Sequence, residues 1–555
     1  MSESNWSSPY GNASRWGGRS QPGKDSCVEM DDTAMSPYQE QHMQKPTILI
    51  IGAGMAGLAA GCYAQMNGFE SHIFEMHFLP GGLCTSWRRG DYTFDGAVRY
   101  LTGAGPTAST RVLWDELGML QDTPIYYYEE FSRYETRDGR SFKLFADIDR
   151  LEAHMLTLSP GDDDPIREFT GAIRQFTRMA LPVDLTPGDP LEWARLGSQM
   201  LPVVVPALQW ITVPIREFAQ RFRDPLLRSA LPEFFQLTPP DFPAMLALAT
   251  LADMHDREAG YPIGGSLRLA QALANRYEEL GGQIHYKSQV KQIVIEARRG
   301  FAGEGRAVGV TLEDGTRHDG NIVISACDGR STIFDMLNGD YVNNRVRTYY
   351  RDLVPSKSIL QVSLGVAQDF SGEPPMASFP LRAPINLAGV PHDRLVLKHY
   401  AFDPTMAPPG KSVLSVWCEA DYDHWKRLRA NRQEYTDAKE EVADQIAAEL
   451  DTRYPGLRSR IEEVDVATPV TYERYTGNWR GAFAGWSMSM RKMSFMTGLG
   501  MNKRLPGLEN FYMIGQWVEP GGNVQLSVAS GRDAVKDICR EMNRRFETTT
   551  LQGPR

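Results

Sequence analysis

Thr47-Ile48-Leu49-Ile50-Ile51-Gly52-Ala53-Gly54-Met55-Ala56-Gly57 is the stretch on which the fold turns. Ile48 to Ile51 is an uninterrupted aliphatic run closed by Gly52, which suits a fully buried parallel strand. A helix is expected to follow to about Asn67, with Gly68 just past its end, where a left-handed glycine belongs. Ser71 to Glu75 is the next strand, completing a βαβ unit. Gly52 permits the tight turn, Gly54 lets the backbone approach a pyrophosphate, and Gly57 lets the helix pack closely on the strand. Gly61 extends the same small-residue stripe. The helix start directs free N–H groups at the phosphates. Glu75, at the end of the second strand, can accept hydrogen bonds from ribose hydroxyls and would repel a 2′-phosphate. A dinucleotide is therefore expected here, and NADP is disfavoured.

The remaining composition sets bounds. A chain of 555 residues exceeds one compact core, so two domains, or one interrupted by insertions, are expected. The net charge of −10, with no long basic run, argues against a nucleic-acid partner. Six scattered cysteines without a CxxC fit a reducing, cytoplasmic setting, and neither a disulfide scaffold nor a zinc site. Residues 1–45 are rich in Ser, Gly, Asn, Asp and Gln and lack an apolar segment flanked by positive charge. They read as a disordered tail and not as a signal peptide. Leu196 to Ile215 carries no charge and has the length of a bilayer span. Pro202, Pro206 and Pro214 would break such a helix. A buried helical hairpin is one reading; a surface that dips into one leaflet, or lines an apolar tunnel, is the other.

Further along, Ala146 to about Asp253 reads as mostly helical. Gln283 to Glu296 and Ala307 to Leu312 read as strands, with a hairpin turn at Glu313-Asp314-Gly315. Ile359 to Val366 alternates, with Leu360, Val362, Leu364 and Val366 on one side and Gln361, Ser363 and Gly365 on the other, as in a half-buried antiparallel strand. Tyr435 to Leu450 carries a helical apolar stripe. Asn510 to Ile514 reads as a strand and Val524 to about Asn543 as a helix. Glycine-rich signals near the start, middle and end suggest a nucleotide domain in three pieces (46–125, 255–335 and 495–545). A substrate domain would come from 126–254 and 336–494.

The βαβ unit alone does not choose between FAD and NAD; the motifs around it do. Pro80-Gly81-Gly82-Leu83-Cys84-Thr85 follows Glu75, then Phe94-Asp95-Gly96. Tyr261-Pro262-Ile263-Gly264-Gly265-Ser266 lies in the middle. Gly515-Gln516, Pro520-Gly521-Gly522-Asn523-Val524 and Ser530-Gly531-Arg532 lie near the end. Their content and order resemble the carotenoid desaturase, carotenoid isomerase and retinol saturase-like branch of the flavin amine-oxidase superfamily. Cys327, in Ile324-Ser325-Ala326-Cys327-Asp328, departs from the branch's usual Asn-Ala-Asp. The resemblance spans about residues 46–545. It implies an α/β protein with a glutathione-reductase-like, Rossmann-type FAD domain and an inserted α+β substrate domain.

Residue by residue, the resemblance implies that Gly52, Gly54, Met55, Ala56 and Gly57 face the pyrophosphate of FAD, with Glu75 and Met76 at the ribose. Gly82 and Leu83 would run along the ribityl chain, and Val290 would hold the adenine by its backbone. Gly515 would approach the flavin. Gly522, Asn523 and Val524 would present N–H groups at a helix start, where reduced flavin gathers negative charge. Arg99 and Glu519 are the candidate catalytic groups, by proton handling or charge stabilisation; a structural ion pair or loop charge is the alternative for each. Asp95 reads better as a loop cap than as an acid. No metal-ligand spacing appears.

The stretch Tyr472, Tyr475, Trp479, Phe483 and Trp486 is consistent with an aromatic wall for a flat substrate or with core packing. Met488, Met490, Met493, Met496 and Met501 add adaptable apolar surface. The implied activity is FAD-dependent chemistry at carbon–carbon bonds of an extended apolar substrate: desaturation, saturation or cis–trans isomerisation. An amine-oxidising flavoenzyme and a non-enzymatic lipid carrier of the Rab escort or GDP-dissociation-inhibitor type are the alternatives. The sequence does not fix the oligomeric state.

Overall fold

The computed structural model describes residues 45–179, 197, 204, 207–233, 235, 237–297, 303–489, 503–519 and 521–550. The expected tail (up to Gln44), much of the uncharged segment and Met490, Met493, Met496 and Met501 lie outside the described residues. At the centre is a five-stranded sheet in the order Gln283–His285, Glu70–Phe74, Thr47–Ile51, Ile322–Ser325, Phe511–Met513, every neighbouring pair parallel. The aliphatic run is its middle strand. Ile48 and Ile50 pack on one side and Leu49 and Ile51 on the other, and all four are buried. A strand covered on both faces needs no polar alternation, which is why the run is unbroken.

Helix Met55–Met66 lies on one face of this sheet beside helices Gly265–Glu279 and Val524–Glu541. Three glycines let these elements touch. A Cβ on Gly57 would fall 2.0 Å from the Gly52 carbonyl oxygen, one on Gly61 2.7 Å from the Tyr277 ring, and one on Gly531 2.5 Å from the Ala56 carbonyl oxygen. The opposite face carries a smaller sheet of Val290–Ala297, Gly305–Leu312, Arg317–Asp319 and Leu508–Glu509. The stretch expected as one strand from Gln283 to Glu296 is thus two strands in different sheets. Between them Lys287 takes a left-handed φ of 56° and Ser288 N–H donates to the Glu75 carbonyl oxygen at 2.8 Å, which turns the chain from one sheet to the other.

A seven-stranded sheet is built from the intervening sequence, in the order Ile461–Ala467, Ile359–Val366, Ser412–Glu419, Val390–His399, Met376–Leu387, Glu130–Glu135, Ser141–Phe145. Helix Arg432–Arg453 covers one face, placing Val442, Ile446 and Leu450 against Leu360, Val362, Leu364, Leu414 and Val416. The expectation of a half-buried strand at Ile359–Val366 fails: all eight residues are buried. Its polar side meets protein. Gln361 Nε2 donates to the Asp95 carbonyl oxygen at 2.8 Å, Tyr472 Oη donates to Gln361 Oε1 at 2.8 Å, and a Cβ on Gly365 would fall 2.5 Å from the Tyr92 ring. Alternation reported two chemically different faces; the polar one is paired with polar groups instead of water. Helices Ile148–Leu158, Asp163–Phe176 and Ala244–His255 pack against the far strands of this sheet.

The glycine contacts make a direct test. Gly531→Ala should cost about 1–3 kcal/mol through overpacking. Gly171→Ala, inside helix Asp163–Phe176 where a Cβ meets nothing within 4 Å, should gain about 0.5–1 kcal/mol. Chemical denaturation of both variants checks this; equal stability of the two would refute the helix contact.

Candidate functional site

The first turn of the site is held by Glu75. Its Oε2 accepts from Ala53 N–H at 2.7 Å and its Oε1 from His77 N–H at 2.8 Å. The carboxylate is almost fully buried, which raises its pKa; the N–H groups of His77, Ala53 and Met76 oppose that shift. Each oxygen keeps lone-pair capacity for a ribose hydroxyl. The Gly81-Gly82 loop docks on the same turn: Gly81 N–H donates to the Ala53 carbonyl oxygen at 2.8 Å, and a Cβ on Gly82 would lie 3.5 Å from Gly54 Cα. Both glycines have positive φ, 111° and 59°. Gly54 differs from its jammed neighbour Gly57: a Cβ there would meet nothing within 4 Å. That open space, between a helix start and a glycine loop, is a cradle that a side chain would fill and that a diphosphate fits.

The other end of the sequence returns to this place. Gly515 N–H donates to Ser530 Oγ at 2.9 Å, and a Cβ on Gly515 would lie 3.4 Å from that of Ala56. Asn523 caps the last helix, its Oδ1 accepting from Gln525 N–H at 2.7 Å, and Val524 opens it. Gly522, at φ 58°, is pressed against Ala484. Leu83 packs in one cluster with Trp417, Tyr472 and Phe483. Val290 is a buried first residue of its strand, two residues beyond the Ser288 contact with Glu75. Most of the residues singled out for FAD thus lie at the ends of the parallel strands, at helix starts and on the two glycine loops, with Val290 opening a strand of the smaller sheet, and they fit that cofactor. When bound, FAD would supply the electron-accepting ring, and these residues would hold its phosphates, ribose and flavin.

Asp95 behaves as a cap. Its side chain accepts from Ser266 N–H at 2.9 Å, Ser266 Oγ at 2.5 Å, Tyr261 Oη at 2.8 Å and Ala97 N–H at 3.0 Å. It ties the Phe94-Asp95-Gly96 loop to the start of helix Gly265–Glu279. Of the two catalytic candidates, Glu519 reaches Lys503 at 3.6 Å, and Lys503 also meets Asp533 at 3.4 Å. Arg99 has a different setting. Its guanidinium stands 6.0 Å from the Trp417 ring centre, and its carbonyl oxygen accepts from Tyr128 Oη at 2.8 Å.

The same indole faces a buried lysine that sequence reading did not find. Lys398 Nζ lies 3.3 Å from the Trp417 ring centre, buried and with no hydrogen-bond partner among the described residues. Burial, and then the charge of Arg99, push its pKa well below the ordinary lysine value, with Asp95 opposing. The available signal was weak: Leu395 and Leu397 face the helix-covered side, leaving Val396 and Lys398 on the other face of the strand. The proposed aromatic wall divides. Tyr472 and Phe483 join Trp417 and Leu83, whereas Trp479, Trp486 and Trp517 form a separate cluster and Tyr475 is exposed. The chain turns between them through left-handed Gly477, Arg480 and Gly481.

Residues 55–539 match the family described as flavin containing amine oxidoreductase. The chain belongs to that family. Among curated proteins it is 24% identical over 503 residues to the chloroplastic prolycopene isomerase of Daucus carota, covering 87% of this chain and 78% of that protein. It is 24% identical over 520 residues to the 4,4′-diapophytoene desaturase (4,4′-diapolycopene-forming) of Methylomonas sp., covering 90% and 96%. Among solved structures, cyclohexylamine oxidase from Brevibacterium oxydans shares the fold, with a TM-score of 0.55 at 13% identity, over 90% of this chain and 100% of that one. The protein is an FAD-dependent oxidoreductase of the amine-oxidase fold, with a Rossmann-type cofactor domain and a substrate domain.

Because Gly54 has φ −70° and ψ 174° and open space before it, Gly54→Val should fold normally yet lose FAD. The expected outcome is at least roughly tenfold weaker FAD binding, with flavin-free stability unchanged within about 0.5 kcal/mol. Flavin titration and denaturation of the apoprotein measure the two. Retained affinity would place the phosphates elsewhere.

Proposed function

We propose that this flavoenzyme changes carbon–carbon double bonds of an extended apolar polyene, by desaturation, saturation or cis–trans isomerisation. The observation that carries the reading is the charge around Trp417. Arg99 and Lys398 both stand over that indole, and the carboxylate that acts on Lys398, Asp95, is occupied by four donors. A protonated amine would meet the Arg99 guanidinium and an amine on Lys398, with no free counter-charge, which disfavours it in a dry site. A neutral hydrocarbon pays no such penalty. On the same sheet face, Phe142, Leu144, Phe169, Leu251, Met376 and Val396 among others line a small, mainly apolar void of about 20 Å³. Flavin can run such chemistry with the protein supplying orientation and a dry pocket. The printed names of the isomerase and desaturase relatives agree with this reading.

An apolar substrate has to be collected from a lipid phase. We therefore propose cytoplasmic residence with peripheral membrane contact through Leu196 to Ile215, of which 196, 198–203 and 205–206 lie outside the described residues. Among the described residues no helix is long and apolar enough to cross a membrane.

The test is anaerobic incubation of the FAD-loaded protein, once with a quinone acceptor and once with its flavin reduced by dithionite, with phytoene and with poly-cis lycopene, and of the oxidised protein with putrescine and cyclohexylamine as comparators. The expected result is a polyene product of altered double-bond number or geometry by chromatography, and an oxidised-flavin spectrum unchanged by either amine. Bleaching by an amine, with both polyenes recovered intact, would overturn the reading.

A further inference from the structure

A hydrocarbon offers the Lys398 amine no hydrogen-bond acceptor. A buried amine without a partner costs free energy that a methionine of similar size would avoid. Its retention beside Arg99 marks a place where negative charge is to be received. Lys398 is paired in register with Met376, and Val396, two residues earlier on the same face, is paired with Ser378. Met376, Ser378 and Val396 all line the small void. On its other side Lys398 is opposite Ser415, and the next strand brings Ser363 and Gln361, all buried. The sheet face therefore runs from a small, mainly apolar void to a polar floor beneath Lys398 and Arg99.

We propose that the substrate is an apolar chain ending in a carboxylate, and that Lys398 and Arg99 bind that end over Trp417. This deepens the polyene reading and rests on it. The carboxylate oxygens would accept from Lys398 Nζ and from the Arg99 guanidinium, whose planar fork matches a carboxylate. Arrival of the anion supplies the counter-charge the empty site lacks, which favours the ammonium form of Lys398; burial and Arg99 hold its pKa down until then. The groups that face this pair are Asp95, Tyr128 and Tyr400, with Tyr100 next to Arg99. The charged end fixes which way round the chain enters, and so which double bonds reach the flavin.

The experiment uses the FAD-loaded full chain and two probes that differ in charge and by one methyl group, all-trans-retinoate and its methyl ester, with binding read by quenching of tryptophan fluorescence. Retinoate should bind at least about tenfold more tightly than the ester, as charge-assisted hydrogen bonds give. Lys398→Met should abolish most of that preference while leaving the ester's affinity within about twofold of the wild type. The retained ester binding shows that the variant is folded. Equal affinity of the two probes for the wild type would overturn the proposal and leave the polyene reading standing. A retinoate preference that survives Lys398→Met would overturn it too, by placing the anion elsewhere. Binding of neither probe would sink both the proposal and the apolar-substrate reading.

Discussion

The close contact between Gly57 and the Gly52 carbonyl is the constraint on which the rest depends. It seats helix Met55–Met66 directly on the central strand, so that the helix start and the strand end share one turn. Glu75 then locks the turn by taking Ala53 N–H, and the Gly81-Gly82 loop closes over it through the Ala53 carbonyl. A single methyl group at Gly57 would push helix from strand and open that arrangement. The same tolerance for close approach recurs at Gly531, which brings the last helix of the chain onto the first. Two ends of a long sequence meet at one cofactor site because small residues at these contacts allow it.

The second organising feature is the buried polar layer between the cofactor sheet and the seven-stranded sheet. Asp95 is its hub: its carboxylate holds the Gly265 helix start and its carbonyl accepts from Gln361. Tyr472 completes the chain through Gln361. Such a layer is expensive unless satisfied, and here every one of these contacts is made. Lys398 is the exception within it, which is why it points to something the protein binds.

Much of the cofactor half was legible in sequence because its information is local. Gly52, Gly54, Gly57 and Glu75 sit at fixed offsets within one βαβ unit, and Asn523 announces a helix start by its own chemistry. The substrate half was less so. Lys398 comes beside Arg99 at the Trp417 ring only in the folded chain, the two lying far apart in sequence. Gln361 and Ser363 looked solvent-facing because a period of two reports contrast between faces and not what covers them. The aromatic run from Tyr472 to Trp486 looked continuous because spacing does not show the left-handed turns at Gly477 and Gly481.

The most direct test of the central claim, that the two glycine loops hold FAD as a dissociable cofactor, is the visible spectrum of the purified protein before and after denaturing precipitation. The account predicts an oxidised-flavin spectrum and stoichiometric FAD released into the supernatant, since the cysteine nearest to Gly522 in sequence, Cys539, is fully buried within the last helix. A colourless protein that takes up no added FAD, or flavin that stays with the precipitate, would contradict it.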